Sequence, residues 1–250
     1  MRRFFFNPDL REEDTVLLSE QESRHITRVL RLDIGTELLL LDGQGGLYRG
    51  RISALGRQVL VSGLRQEPVV EEQGPRVHVY QGLLKGQKME LLVQKCSELG
   101  AASFTPFFAE RCQGSLARKS VAEKKMDRYR KISDEACKQC GRVKPMALER
   151  VDSIEDALGS LLPQTLGLFF WEEEKGSDLH GVPDLRNIDD VALFLGPEGG
   201  FTGDEAELAR SSGCRILSLG PRILRAETAC ISALAVVQFL ADHLSGAEES

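Results

Sequence analysis

Two glycine-bearing turns hold the residue types best suited to chemistry in this 250-residue chain. Gly196-Pro197-Glu198-Gly199-Gly200-Phe201 follows the apolar run 191–195, and Gly220-Pro221-Arg222-Ile223-Leu224-Arg225 follows the apolar run 215–219. Short apolar runs bounded in this way read as buried strands, and a helical pattern follows each of them. Ligands of open α/β sheets bind outside the carboxyl ends of strands. Glycine lets backbone approach a ligand closely at positive φ, and proline stops a strand. The turns therefore predict a ligand site. Neither G-x-G-x-x-G nor G-x-x-x-x-G-K-[ST] occurs in the chain, which argues against a common dinucleotide or phosphate-cradling loop.

Two other groupings have chemical potential. Arg24, Arg28 and Arg31 recur at helical spacing, opposite an apolar face of Ile26, Val29 and Leu30. Guanidinium groups bind phosphate bidentately, so such a comb suits a polyanion; a solvated face with carboxylate partners is the plain alternative. Cys137-Lys138-Gln139-Cys140 has the spacing of half a zinc or redox site. No second C-x-x-C exists and the pair lies in a helical pattern, so ordinary thiols and no metal are expected.

The elements that must position these residues fall into two groups. Residues 1–73 read as a small β-rich domain, with strands at 36–41, 47–52 and 59–61 around the turn cluster Asp42-Gly43-Gln44-Gly45-Gly46. Ser19 with Glu22 predicts a capping box for the helix that carries the arginines. Glycine and proline cluster between Pro68 and Pro75, where a boundary is placed, with a second domain over 74–250. That domain alternates strands at 76–81, 104–108, 166–170, 191–195 and 215–219 with helices. One helix carries Met89, Leu92, Val93, Cys96 and Leu99 on one face and ends at Gly100. A basic helix covers about 122–139. Ser153 with Asp156, and Thr202 with Glu205, cap two more. The last helix, from about Ala226, is apolar nearly all round and so is buried in the core or against a partner chain. Residues 245–250 read as a frayed tail.

A 42% hydrophobic and 28% charged composition fits a soluble globular protein. No apolar run approaches the roughly 20 residues of a membrane span, and Phe4-Phe5-Phe6 is too short for a signal peptide. Six cysteines with no export signal suggest a reducing, cytoplasmic setting. The net charge of −6 is unevenly spread: 76–144 carry 15 Lys/Arg against 7 Asp/Glu, whereas 145–250 carry 7 against 19. A basic middle is either an electrostatic footprint for a polyanion or a set of solvated helix faces.

The two turns together, Gly196 to Phe201 and Leu219-Gly220-Pro221-Arg222-Ile223-Leu224-Arg225-Ala226-Glu227-Thr228-Ala229, resemble the RsmE family of SPOUT-superfamily methyltransferases. Members of that family methylate N3 of a specific uridine in 16S ribosomal RNA. The pairing of motifs is specific, and the resemblance extends over essentially the whole chain. His25-Ile26-x-Arg28-Val29-Leu30-Arg31 resembles the family's PUA-like RNA-binding domain, and Lys85-x-x-x-Met89-Glu90 and Glu135-Ala136-x-x-Gln139-x-Gly141-Arg142 resemble other segments. The resemblance implies an α/β fold: a knotted, parallel-sheet SPOUT domain with a C-terminal trefoil knot, preceded by a small PUA-like β-barrel domain. It also implies a homodimer, with the small ribosomal subunit or its 16S RNA as partner and no membrane association.

The implied cofactor is S-adenosylmethionine, bound by the loops after 166–170, 191–195 and 215–219. Phe170, Leu217, Leu219, Ile223, Leu224 and Ala229 are the candidate apolar wall, and Gly196, Gly200 and Gly220 let backbone close around the ligand. Transfer to N3 is an in-line displacement on an unpaired base, so positioning is the main task. Arg225 is the candidate for stabilising charge on the uracil oxygens. Glu198 or Glu227 is either the proton acceptor or a structural carboxylate, the first taking loop N–H bonds and the second facing the N-terminus of the last helix. The RNA-binding candidates are Arg24, Arg28, Arg31, Lys85, Arg111, Glu135, Gln139 and Arg142. Ribose 2′-O-methylation and a non-catalytic RNA-binding module are the alternatives.

Overall fold

A computed structural model describes residues 1–69, 74–112 and 119–241, with backbone alone at 119–122. By its contacts the chain forms two compact units, Met1–Glu71 with Cys137–Pro145, and Glu72–Ala136 with Met146–Ser250. A single boundary along the chain makes no provision for Cys137–Pro145, which joins the first unit through tertiary contacts.

The first unit is a curled sheet of six strands: β1 (Arg3–Phe5), β2 (Arg11–Glu12), β3 (Thr15–Leu17), β4 (Glu37–Leu41), β5 (Leu47–Ala54) and β6 (Leu60–Gln66). Their order is β1-β4-β5-β6-β3-β2. The β4–β5 turn is held by Asp42 Oδ1, which accepts from the N–H groups of Gln44 and Gly46 at 2.8 Å. The register shifts twice between β5 and β6, at Arg49/Arg51 and Ile52/Ala54. Bulges of this kind bend a strand and tighten its twist, which curls the sheet around Phe4, Leu38, Leu40, Ile52 and Val61. The phenylalanine run at the start of the chain is thus a strand, with Phe4 and Phe6 in the core.

Helix α1 (Glu20–Arg24) begins as expected, with Ser19 Oγ accepting from Glu22 N–H at 3.2 Å. The reciprocal half of the box is not formed. Glu22 is buried and instead pairs with Lys138 Nζ at 2.9 Å. The chain then continues as a π-helical segment, His25–Leu30, and Arg31 takes a left-handed conformation at φ +49°. This corrects the expected single α-helical face: Ile26 is buried, but Val29 is 70% exposed. The wider π turn rotates position 29 away from the core, and such segments recur at functional sites.

The second unit contains β7 (Arg76–Gly82), α2 (Lys88–Glu98), β8 (Ser103–Phe107), α3 (Lys119–Cys140), β9 (Ala147–Leu148), α4 (Ile154–Gly159) and β10 (Leu166–Phe170). It continues with β11 (Asp190–Leu195), α5 (Gly203–Ser211), β12 (Arg215–Leu217) and α6 (Ala226–Leu240). The sheet order is β12-β10-β11-β7-β8-β9, and every pairing is parallel. Separate hydrophobic clusters cover the two faces of this sheet. This explains why residues 191–195 of β11 read as an uninterrupted apolar run and why the strand is buried at every position. Strand β12 is shorter than expected. Its ladder ends at Leu217, and Ser218 N–H turns to Ser177 O at 2.8 Å. The Thr202–Glu205 capping box of α5 is complete, and Gly100, at φ +84°, closes α2. Helix α6 buries Cys230, Ala233, Leu234 and Val237 but leaves Val236, Phe239 and Leu240 exposed. The expected tail at 245–250 lies outside the described residues.

Candidate active site

Strands β12, β10 and β11 are neighbours, so the loops at their carboxyl ends meet. Between them lies a cleft of about 410 Å³. Its walls include Phe170 at the end of β10 with Trp171 and Glu172 after it, Leu195 to Glu198 and Gly200 at the end of β11, and Ser218 to Arg225 after β12. Ala226, Ala229 and Lys88 complete it. The loops brace one another. Trp171 N–H donates to Leu217 O at 2.9 Å, and Trp171 Nε1 donates to Phe201 O at 3.3 Å.

Glycine is required where these loops touch. Gly200 has φ +70°, and a Cβ there would overlap the Glu172 carboxylate. A Cβ on Gly196 would lie 3.3 Å from Gly200 C and from Phe201 Cδ2. The backbone itself therefore forms part of the cleft wall at Gly196 and Gly200, with no side chain between it and a ligand.

Charge in the cleft is organised by Lys88. Its Nζ lies 3.1 Å from Glu198 Oε1 and 3.3 Å from Glu227 Oε2. Bonding to Glu198 and the nearby Glu227 raise the Lys88 ammonium above its ordinary value, outweighing its partial desolvation. Burial alone would raise the Glu198 carboxyl. The N–H of Lys85, the Lys88 ammonium and Glu198's own N–H outweigh burial and hold it below its ordinary value. Glu198 Oε1 accepts from Lys85 N–H at 3.1 Å, so the carboxylate is ionised and occupied on its protein side. Glu227 Oε2 is buried and has the Lys88 ion pair but no hydrogen bond. By contrast, the side chains of Arg222 and Arg225 line the cleft, are exposed, and have no ion-pair or hydrogen-bond partner among the described residues.

Of the expected cofactor residues, Phe170, Gly196, Gly200, Leu219, Gly220, Ile223, Leu224 and Ala229 line the cleft. Leu217 does not; it is 2% exposed and packs in the core behind the wall, because β12 presents it to the sheet face. Arg225 and Glu198 are on the wall, and Glu227 stands one layer back beside Lys88. Arg111 is not on it. Its Nη1 donates to Gly199 O at 3.1 Å and Phe201 O at 3.3 Å, supporting the glycine turn from behind. Lys85 and Glu135 are exposed and also off the wall. Gln139 and Arg142 belong to the first unit, as do Arg24, Arg28 and Arg31, all exposed except the half-buried Arg142. Arg24 pairs with Glu20 at 3.3 Å. Cys137 is buried with its thiol donating to Arg142 O at 3.1 Å, and all six cysteines are free thiols.

Lys88, Trp171, Glu172 and Arg222 line the cleft but were not among the candidate site residues drawn from the sequence. The signals for them were positional: Lys88 stands three residues after Lys85 at a strand-to-helix junction, and Trp171, Glu172 and Arg222 lie in the loops expected to hold the cofactor. Nothing local marks Glu172 as different from the acidic residues that follow it.

Against known families, residues 71–238 match an RNA methyltransferase domain and residues 18–61 match an RNA methyltransferase PUA domain. The chain is 31% identical to ribosomal RNA small subunit methyltransferase E of Rickettsia conorii, over 96% of each chain. The chain belongs to the RsmE family. A second relative, the Bacillus subtilis enzyme of the same name, is 30% identical over 98% of this chain and 99% of its own. Among solved structures, an RsmE protein from Neisseria gonorrhoeae bound to S-adenosylmethionine superposes with a TM-score of 0.85 at 28% identity, covering 96% of this chain and 98% of its own. A Legionella pneumophila protein, solved with the same cofactor bound, gives 0.88 at 33% identity, over 96% and 97%. The curled sheet and the parallel sheet are thus the PUA and methyltransferase parts of an RsmE fold.

Proposed function

We propose that this chain transfers a methyl group from S-adenosylmethionine to N3 of a uridine in 16S ribosomal RNA of the small subunit. The observation that carries this reading is the cleft at the ends of β10, β11 and β12, within an RsmE-family chain. Its residues fit the donor. The cleft is large enough for a cofactor of this size, and at Gly200, with its positive φ and the Glu172 carboxylate against it, backbone lines the cleft where a Cβ would not fit. Leu195, Leu219 and Leu224 supply apolar surface for an adenine, and Glu172, Arg222 and Arg225 supply charge for the amino-acid end or the substrate.

When bound, S-adenosylmethionine supplies an activated methyl group. The protein's part is then orientation and electrostatics. Arg225 stabilises the negative charge that uracil develops on O2 and O4 as N3 gives up its proton to a water molecule in the open cleft. Glu198 and Glu227 hold Lys88 and the surrounding loops, the role that fits the depressed Glu198 carboxyl and the Lys88 bridge. The PUA unit holds RNA, with Arg24, Arg28 and Arg31 facing phosphates. A second copy of the chain covers Val236, Phe239 and Leu240, spaced along one strip of α6 and 41%, 63% and 40% exposed. The trefoil knot and a cytoplasmic location belong to the same reading; among the described residues no helix is long and apolar enough to cross a membrane.

The test is methyl transfer to unmodified small subunits, followed by nucleoside mass analysis. N3-methyluridine is the expected product. Ribose-methylated uridine, or no transfer and no calorimetric heat with S-adenosylmethionine, refutes the reading. Arg225→Ala should lower the single-turnover rate about 100-fold, the usual cost of a lost charge-stabilising donor.

A further inference from the structure

We propose that Gln81 is the positioning residue for the Gly196–Gly200 turn of the cleft, a role that rests on the cleft being the methyl-donor site. Gln81 is the penultimate residue of β7, opposite Leu195 of β11, and is fully buried. Its Nε2 donates to Gly82 O at 2.9 Å and to Gly196 O at 2.9 Å, and it lies 3.4 Å from Leu195 O. One side-chain amide thus gathers the carbonyls at which β11 gives way to the glycine turn.

The orientation of that amide is not arbitrary. Turning it over would place Oε1 against carbonyl oxygens. As it stands, Oε1 is buried without a hydrogen-bond partner. A buried unpaired acceptor is destabilising, so the contribution of Gln81 lies in the donors it presents to the turn. Gly82 next to it serves the same seat. A Cβ there would come within 2.8 Å of Pro197 N and Cδ, so the end of β7 and the start of the turn are in direct backbone contact. Leu195, Gly196 and Pro197 all line the cleft. The direction of the Gly196 carbonyl, and with it the path of the turn, is set from beneath by a residue that does not itself reach the ligand.

Gln81→Met separates this role from general stability. It keeps the volume, and the loss of donors to the Gly82 and Gly196 carbonyls is offset in part by removal of the orphaned acceptor, so the melting temperature should fall by only a few degrees. Without ligand, hydrogen exchange at the Gly200 amide, bonded to Pro197 O at 2.9 Å, should be about 10-fold faster, with β11 unchanged. The dissociation constant for S-adenosylmethionine, measured by calorimetry, should rise about 10-fold. Unchanged Gly200 exchange together with unchanged affinity overturns the proposal. If the methionine variant does not fold, Gln81→Glu is decisive. Its carboxyl, when protonated, can donate to Gly196 O, and when ionised it faces carbonyl oxygens. Its affinity should therefore recover as pH falls from about 8 to about 5, relative to wild type at each pH to correct for Glu198, Lys88 and Glu227. A pH-independent loss overturns the assignment. If the wild-type protein binds no donor, the reading of the cleft fails, while the exchange measurement still decides whether Gln81 holds the turn.

Discussion

Gly82→Ala is the smallest change that should move the cleft from a residue outside its lining. The added Cβ would lie 2.8 Å from Pro197 N, 2.8 Å from Pro197 Cδ and 3.2 Å from Gly196 C. Ordinary contact for such an atom begins near 3.4 Å. The turn must therefore retreat by about 0.6 Å, and because the obstacle is backbone and a proline ring, no rotamer change can absorb it. Overpacking of this kind costs about 1–3 kcal/mol. Misplacement by ~1 Å can cost ~100-fold in rate, so 0.6 Å should weaken S-adenosylmethionine binding and turnover about 10-fold. Calorimetry and thermal melting measure the two effects. Gly203→Ala is the control: nothing lies within 4 Å of its Cβ position, its φ is not positive, and alanine favours the helix it begins. The reasoning fails if Gly82→Ala matches the wild type in both affinity and melting temperature, or if Gly203→Ala is equally damaging.

Other outcomes follow from the buried ion pairs. Lys138→Met leaves the Glu22 carboxylate buried without its partner at 2.9 Å, and should destabilise the first unit by about 3 kcal/mol, read from hydrogen exchange at the Val59 amide. The double change Glu22→Leu with Lys138→Met should be close to neutral, and a single variant as stable as wild type would contradict the pairing. Asp190 sits 2.7 Å from Arg76 Nη2 and 2.9 Å from His78 Nε2. Burial would raise its carboxyl, but these two partners overcome that and hold it below its ordinary 3.8. A carboxyl depressed in the folded state stabilises above its unfolded value and loses that contribution as pH falls through the folded one. Melting temperature should therefore drop with acidification below about pH 4, and Asp190→Asn should flatten that limb; an unchanged slope would show that Asp190 is not responsible.

Much of the scaffold was legible because its causes are local. The apolar runs of β10 and β11, the Thr202–Glu205 box and the Gly100 terminus each arise from neighbours within a few residues, and each stands where expected. The errors occur where distant contacts overrule a local pattern. Glu22 leaves the Ser19 box for a lysine 116 residues away. Val29 leaves the apolar face because the helix widens into a π segment. Strand β12 stops at Leu217 because Ser218 finds a partner in another loop. Strand β1, at three residues, is too short to show a period at all.

The sequence alone determined that two glycine turns follow buried strands, and that the chain resembles a family of RNA methyltransferases. Only the tertiary structure placed β10 between β11 and β12, so that the three loops share one cleft. It alone joined Lys88 to Glu198 and Gln81 to Gly196, pairs separated by 110 and 115 residues. Strand order and side-chain partnership at that separation depend on how the whole sheet packs, and no periodicity within a short window carries that information.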